Sequence, residues 1–151
     1  MKNKNLFLIL IFLIFSHCDY SPIYSNVEND RFYFELIDVQ GDNEMNNLLN
    51  LNIKKTNKKS ANTKFNLNAK TFYEKKIISK NKAGEPTSYL VVTGIEFEII
   101  NLNNKKISFK DRTNIENIND KFELTNYESS IKENFISSKV RDLILRLSIS
   151  E

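Results

Sequence analysis

The 22 basic and 19 acidic residues leave a formal net charge of +3, too small a field to attract a nucleic acid, so no such partner is expected. One cysteine and three glycines exclude an internal disulfide and a glycine-rich phosphate cradle. At 151 residues the chain has room for one core and not for two comfortable ones.

The chain opens with Lys2 and Lys4, followed by an apolar run from Leu6 to Phe15 that stops at Ser16-His17-Cys18. A positive start and a short apolar run are the marks of a secretion signal. A spanning helix needs about 20 apolar residues, so this run is too short to be one. The competing reading is a buried N-terminal helix. Cleavage before Cys18 makes residues 1–17 a signal peptide. It leaves Cys18 free to carry a thioether-linked lipid, the one covalent group expected, with no other cofactor. His17 is bulkier than the residue usual before a cleavage site, which predicts slow or absent processing. An uncleaved leader would still hold the domain at the inner membrane. Removing the leader takes the only histidine with it. The remainder has no Ser–His or Cys–His nucleophile and no usual zinc ligand set, so an enzyme is not expected.

Residues 18–30 read as a polar tether, stiffened at Pro22, with Tyr20, Ile23 and Tyr24 as docking points. The single domain is expected over residues 31–151. Arg31 to Asp38 alternates as a first strand, with Phe32, Phe34 and Leu36 on one face and both faces partly covered. Gly41-Asp42 ends it and caps a helix whose apolar stripe is Met45, Leu48, Leu49 and Ile53. Thr63 to Ile78 returns to alternation, with Phe65, Leu67, Ala69, Thr71 and Tyr73 sharing a face. A strand–helix–strand unit of this size makes the first two strands parallel. Ser79 to Ser88 is the longest loop.

Tyr89 to Ile100 and the stretch carrying Ile107, Phe109 and Ile115 form a hairpin. Facing Phe97 with Phe109 and Glu96 with Lys110 keeps the apolar side chains together and leaves a three-residue turn, Leu102 to Asn104. With few glycines, asparagine is expected to build such turns. The general abundance of Asn, Lys and Ile is otherwise the composition of an A/T-rich coding sequence. Thr125 to Ser148 is the last helix. A Thr125–Glu128 capping box opens it, and Ile131, Phe135, Val140, Leu143 and Leu147 form its apolar stripe. The fold class is therefore α+β: two helices on one face of a four-stranded mixed sheet, in the order β-α-β-β-β-α.

Candidate site residues are few. Glu96 and Glu98 read as a solvated strand face, and Lys54, Lys55, Lys58 and Lys59 as a solvated helix end. Lys80 and Lys82 in the long loop, set beside Lys110 and Arg112 on the last strand, form the better anion-binding candidate. A solvated surface is the plainer alternative.

Cys18, Tyr20 and Pro22-Ile23-Tyr24 resemble the mature start of the LPS-assembly lipoprotein LptE family, whose members begin Cys-Gly-Phe-x-Pro-Leu-Tyr. The element order matches as well, with Gly41-Asp42 before the first helix and Leu143 to Leu147 closing the last. The resemblance implies a non-enzymatic lipoprotein on the periplasmic side of the cell outer membrane. It would sit within the large β-barrel LptD as plug and assembly partner and contact lipopolysaccharide. It also implies a basic loop between the second and third strands, for which Lys80 and Lys82 are the equivalents. Asp19 replaces the family's glycine, and in some enteric bacteria an aspartate there retains lipoproteins at the inner membrane. Serines 129, 130, 137 and 138 stand where small alanines are expected. The alternative is an unrelated periplasmic lipoprotein acting as a binding module in another envelope complex.

Overall fold

The computed structural model describes residues 31–58 and 60–149. The expected leader, Cys18 with its lipid, and the tether of residues 18–30 lie outside the described residues. The element order is β1 (Phe32–Gln40), α1 (Asn43–Thr56), β2 (Thr63–Lys80), β3 (Pro86–Ile99), β4 (Lys105–Glu116) and α2 (Lys121–Ile149). The sheet runs β1-β2-β3-β4, with β1 parallel to β2 and the other neighbours antiparallel. This is the α+β class expected, with both helices on one face.

That face is chosen by alternation. Phe65, Leu67 and Ala69 of β2, Ile95, Phe97 and Ile99 of β3, and Ile107 and Phe109 of β4 all enter one core. Met45, Leu49 and Ile53 of α1 meet them from above, as do Phe135, Ile136, Val140, Leu143, Ile144 and Leu147 of α2. Phe32, Phe34 and Phe65 form an aromatic cluster at the β1 end, with ring centroids 5.4–6.2 Å apart. β1 departs from the expected cover on two faces. Tyr33 is 38% and Ile37 55% exposed, so its outer face is open. A register shift between Leu36 and Asp38 sets Ile37 aside, and Val39 returns to pack on the core.

The turn into α1 is as expected: Asp42 Oδ1 accepts from the Met45 N–H at 2.9 Å. At the other end of α1, Asn57 does two jobs. Its N–H donates to the Ile53 carbonyl at 3.0 Å, which closes the helix. Its side-chain amide accepts from the Phe34 N–H at 2.8 Å and donates to the Phe34 carbonyl at 2.7 Å. One asparagine thus stands in for a neighbouring strand on the free edge of β1. Asn101 does the same past the end of β3, accepting from the Asn66 N–H and donating to the Lys64 carbonyl. Asparagine is common along the chain, and at these two positions it has structural work. Asn57→Ala is expected to cost about 1–2 kcal/mol, because both Phe34 groups lose their partner. Asn52, whose side chain bonds only the Leu48 carbonyl on the same helix, is the control: urea midpoints for Asn52→Ala should lie close to the parent.

Two local expectations are corrected. The β3–β4 register faces Phe97 with Ile107, Ile95 with Phe109 and Glu96 with Ser108. This is two residues from the expected pairing, so every side chain keeps its face. The turn is longer, running from residue 100 to 104, with Asn103 and Asn104 both left-handed at φ 53° and 55°. Lys110 therefore lies opposite Gly94, and Glu96 pairs diagonally with Lys106 at 3.3 Å. Second, α2 begins at Lys121. Asp120 Oδ1 accepts from the N–H groups of Phe122 and Glu123 at 2.8 and 3.2 Å. The Thr125–Glu128 box does not form, since the Thr125 hydroxyl donates back to the Lys121 carbonyl. The long loop also shortens, because β2 runs to Lys80 and β3 starts at Pro86.

Candidate functional site

The turn joining β2 and β3 is built on Asn81. Its Oδ1 accepts from the N–H groups of Ala83 and Glu85, both at 2.9 Å, and Gly84 takes the left-handed position at φ 84°. Lys80 and Lys82 project from this tip, both exposed, and neither forms an ion pair with a described residue. The cleft beside them, about 460 Å³, is lined by Asn81, Glu85, Pro86, Thr87, Glu116, Asn117 and Asn119. Its two carboxylates suit hydrogen-bonding neutral groups better than phosphate.

Lys110 and Arg112 lie elsewhere. Both are on the face of β4 turned away from the helices, opposite Gly94 and Val92. Pro86, at the tip, is six to eight residues along β3 from these partners, roughly 20–27 Å at the rise of a strand. The fold therefore makes two separate basic pairs, and the four side chains do not converge. Lys110 Nζ sits 5.4 Å from the centroid of Phe72. The Phe72 ring covers Gly94: a Cβ on that glycine would meet the ring at 1.9 Å. The open face around this ring carries Lys70, Glu74, Glu96, Glu98 and Lys106, so it is wet and mixed in charge.

A third polar group was not anticipated. Lys132 of α2, only 8% exposed, reaches Glu44 Oε2 at 2.8 Å and Asp42 at 3.4 Å, and lies 4.2 Å from the Tyr73 ring centroid. Tyr73 Oη donates to Glu128 Oε2 at 2.6 Å, and Lys75 pairs with the same carboxylate. Burial works against the Lys132 charge, but Glu44 and Asp42 outweigh it and hold the ammonium above its ordinary value. Lys132, and then Ser129, hold the Glu44 carboxyl below its usual range. Burial, reinforced by Glu128, pushes the Tyr73 phenol well above its own, so it remains a donor and not a base. The cluster ties both helices to the sheet. One signal was legible: Lys132 falls four residues before Ile136, on the buried side of α2. Among the described residues no group of three or more His, Cys, Asp or Glu side chains could hold a metal ion. No described helix is long and apolar enough to cross a membrane.

No protein-family model matches the chain, and no similar curated protein was found. Solved structures do share its form. The crystal structure of rare lipoprotein B from Shewanella oneidensis is 12% identical with a TM-score of 0.51, over 77% of this chain and 95% of that one. A minor lipoprotein from Acinetobacter baumannii (7% identity, 72% and 93% covered, TM-score 0.47) is also similar. So is lipoprotein B from Nitrosomonas europaea (13%, 78% and 83%, 0.45). At such identities the likeness is one of fold, and the chain has the two-layer fold of the Shewanella lipoprotein.

Proposed function

We propose that this chain is an envelope lipoprotein of the LptE type, exported by residues 1–17 and anchored through lipid on Cys18. Its domain acts without catalysis as plug and assembly partner of a large LptD-type outer-membrane β-barrel and assists lipopolysaccharide export. The observation that carries this reading is the fold shared with rare lipoprotein B, placed behind a basic start, a short apolar run, a lone cysteine and the Pro22-Ile23-Tyr24 motif. A polar open sheet face is compatible with a wet lumen wall, and only a very wide barrel has room for a domain of this size. Lys110 with Arg112, and Lys80 with Lys82, serve as two separate contacts for lipid A phosphates. The anchor faces the periplasm from the outer membrane, with Asp19 as the residue that would redirect it inward.

Detergent pull-down of the tagged full chain should recover a large β-barrel in near-stoichiometric amount, and a preparation without one would sink the plug reading. Cys18→Ser should abolish labelling with radioactive palmitate. Mass spectrometry of the parent should find a lipid-modified N-terminal cysteine. In a dye-displacement assay with lipopolysaccharide, Lys110→Ala with Arg112→Ala and Lys80→Ala with Lys82→Ala should each weaken binding severalfold. Unchanged binding in both would remove the basic pairs from the contact.

A further inference from the structure

β1 is shorter than the strand it pairs with. Its last partner on β2 is Lys70, reached by Gln40, while β2 continues to Lys80. From Thr71 onward the outer edge of β2 has no neighbouring strand among the described residues. The direction of its backbone groups follows from two hydrogen bonds. The Thr63 N–H points to β1, donating to Arg31, whereas the Asn66 carbonyl points to β3, accepting from Ile100. Odd-numbered residues of β2 therefore turn their N–H and C=O outward, and the β2–β3 ladder is regular up to Ile77. Tyr73, Lys75 and Ile77 offer these groups to an incoming strand.

The side chains of this edge fit their own copy. We propose that the free edge of β2 pairs antiparallel with the same edge of a second copy, about a two-fold axis at Lys75. In that register Glu74 faces Lys76 of the second copy on the open face, and Lys76 faces its Glu74. Both side chains are about half exposed and within one copy bond only each other, at 2.9 Å. On the helix face Tyr73 meets Ile77 of the second copy, covering an isoleucine that is 49% exposed. Lys75 meets itself, but in each copy Glu128 already pairs with it, and it rests 4.3 Å from the Tyr89 ring centroid.

The neighbouring registers are worse. A shift of two residues along either strand sets Glu74 or Lys76 against itself. An odd shift would match a wet face to an apolar one. The length agrees as well: Gly41 already closes on the Thr71 carbonyl and the ladder is regular up to Ile77, so the pairing spans Tyr73 to Ile77 and leaves β1 in place. The three outward pairs would exchange about six backbone hydrogen bonds. Such an interface is isologous and closed, so it stops at two copies.

Sedimentation of the purified full chain, with detergent micelles in excess over protein, should show a dimer. Glu74→Lys or Lys76→Glu alone places like charges opposite each other twice per dimer and should weaken it about tenfold or more. The double swap Glu74→Lys/Lys76→Glu should restore it. Both positions are solvent-exposed, so urea midpoints measured at dilution, where the parent too is monomeric, should be unchanged and will show that the single variants remain folded. Independently, copies bearing Glu74→Cys mixed with copies bearing Lys76→Cys should give a mixed covalent dimer on oxidation that neither gives alone, since facing residues of this kind lie about 4.5 Å apart between Cα atoms. A monomer throughout the concentration series, a dimer indifferent to both charge changes, or a double swap no better than the singles would each overturn the proposal. So would capture of this edge by an extended segment of another protein in place of the second copy.

Discussion

Gly41→Ala is expected to lower unfolding free energy by roughly 3–5 kcal/mol, a large share of what holds a domain of this size together. Gly41 has φ +113°, a conformation that side chains rarely adopt. A Cβ there would lie 1.8 Å from the Thr71 carbonyl oxygen and 2.9 Å from its hydroxyl. Neither obstacle can withdraw cheaply. Thr71 is 1% exposed and paired to Ile95 in the middle of the sheet, and its hydroxyl donates to Asn46 Oδ1 at 2.7 Å. The clash would force apart the β1–α1 turn and β2, the contact that starts the parallel crossover. Gly84 separates the two causes. It too has positive φ, +84°, but nothing lies within 4 Å of its would-be Cβ. Gly84→Ala should cost only the local strain, about 1 kcal/mol. Equal urea midpoints for the two variants would show that the contact with Thr71 contributes nothing.

Lys132→Met should cost about 2–3 kcal/mol at neutral pH, less than for a fully buried pair because Glu44 remains half solvated. The substitution keeps the apolar stem against Tyr73 and removes the charge that Asp42 and Glu44 face. Its pH dependence is the sharper test. The Glu44 carboxyl is held below its ordinary value, so its contribution is present above the normal carboxylate range and fades as pH falls through the lowered value. The Lys132 ammonium is held above its ordinary value, so its contribution is complete below the normal lysine range and fades as pH rises through the raised value. The gap between parent and variant should therefore be widest from about pH 5 to pH 10, and should narrow toward acid as Glu44 protonates. A gap that stays constant from pH 3 to pH 7 would mean that Lys132 acts by packing alone.

Asp42 and Glu44 belong to these predictions because of where α1 begins, and that much was readable in the sequence. A carboxylate cap after glycine, followed by apolar residues at helical spacing, depends on neighbours within one or two turns. Other readings failed where the deciding partner is remote. Thr125 and Glu128 have the spacing of a capping box, but Glu128 is claimed by Tyr73 and Lys75 on β2. Asp120 and Glu123 carry the same spacing five residues earlier, and there the Asp120 carboxylate does cap the helix. The basic candidates show the same limit: Lys80, Lys82, Lys110 and Arg112 share a charge, yet the sheet sets the two pairs many residues apart.

By itself the sequence determined the order of elements, which face of each strand is buried and which stripe of each helix meets it. A side chain's face repeats every two residues in a strand and every 3.6 in a helix, so near neighbours are enough to set it. Only the tertiary structure decided the β3–β4 register, the first turn of α2, the Lys132 cluster and the unpaired length of β2. A shift of two residues leaves every side chain on its face, so alternation cannot tell one register from the next. Where a strand runs out of neighbours depends on how two distant segments differ in length once laid side by side, and no local pattern records that.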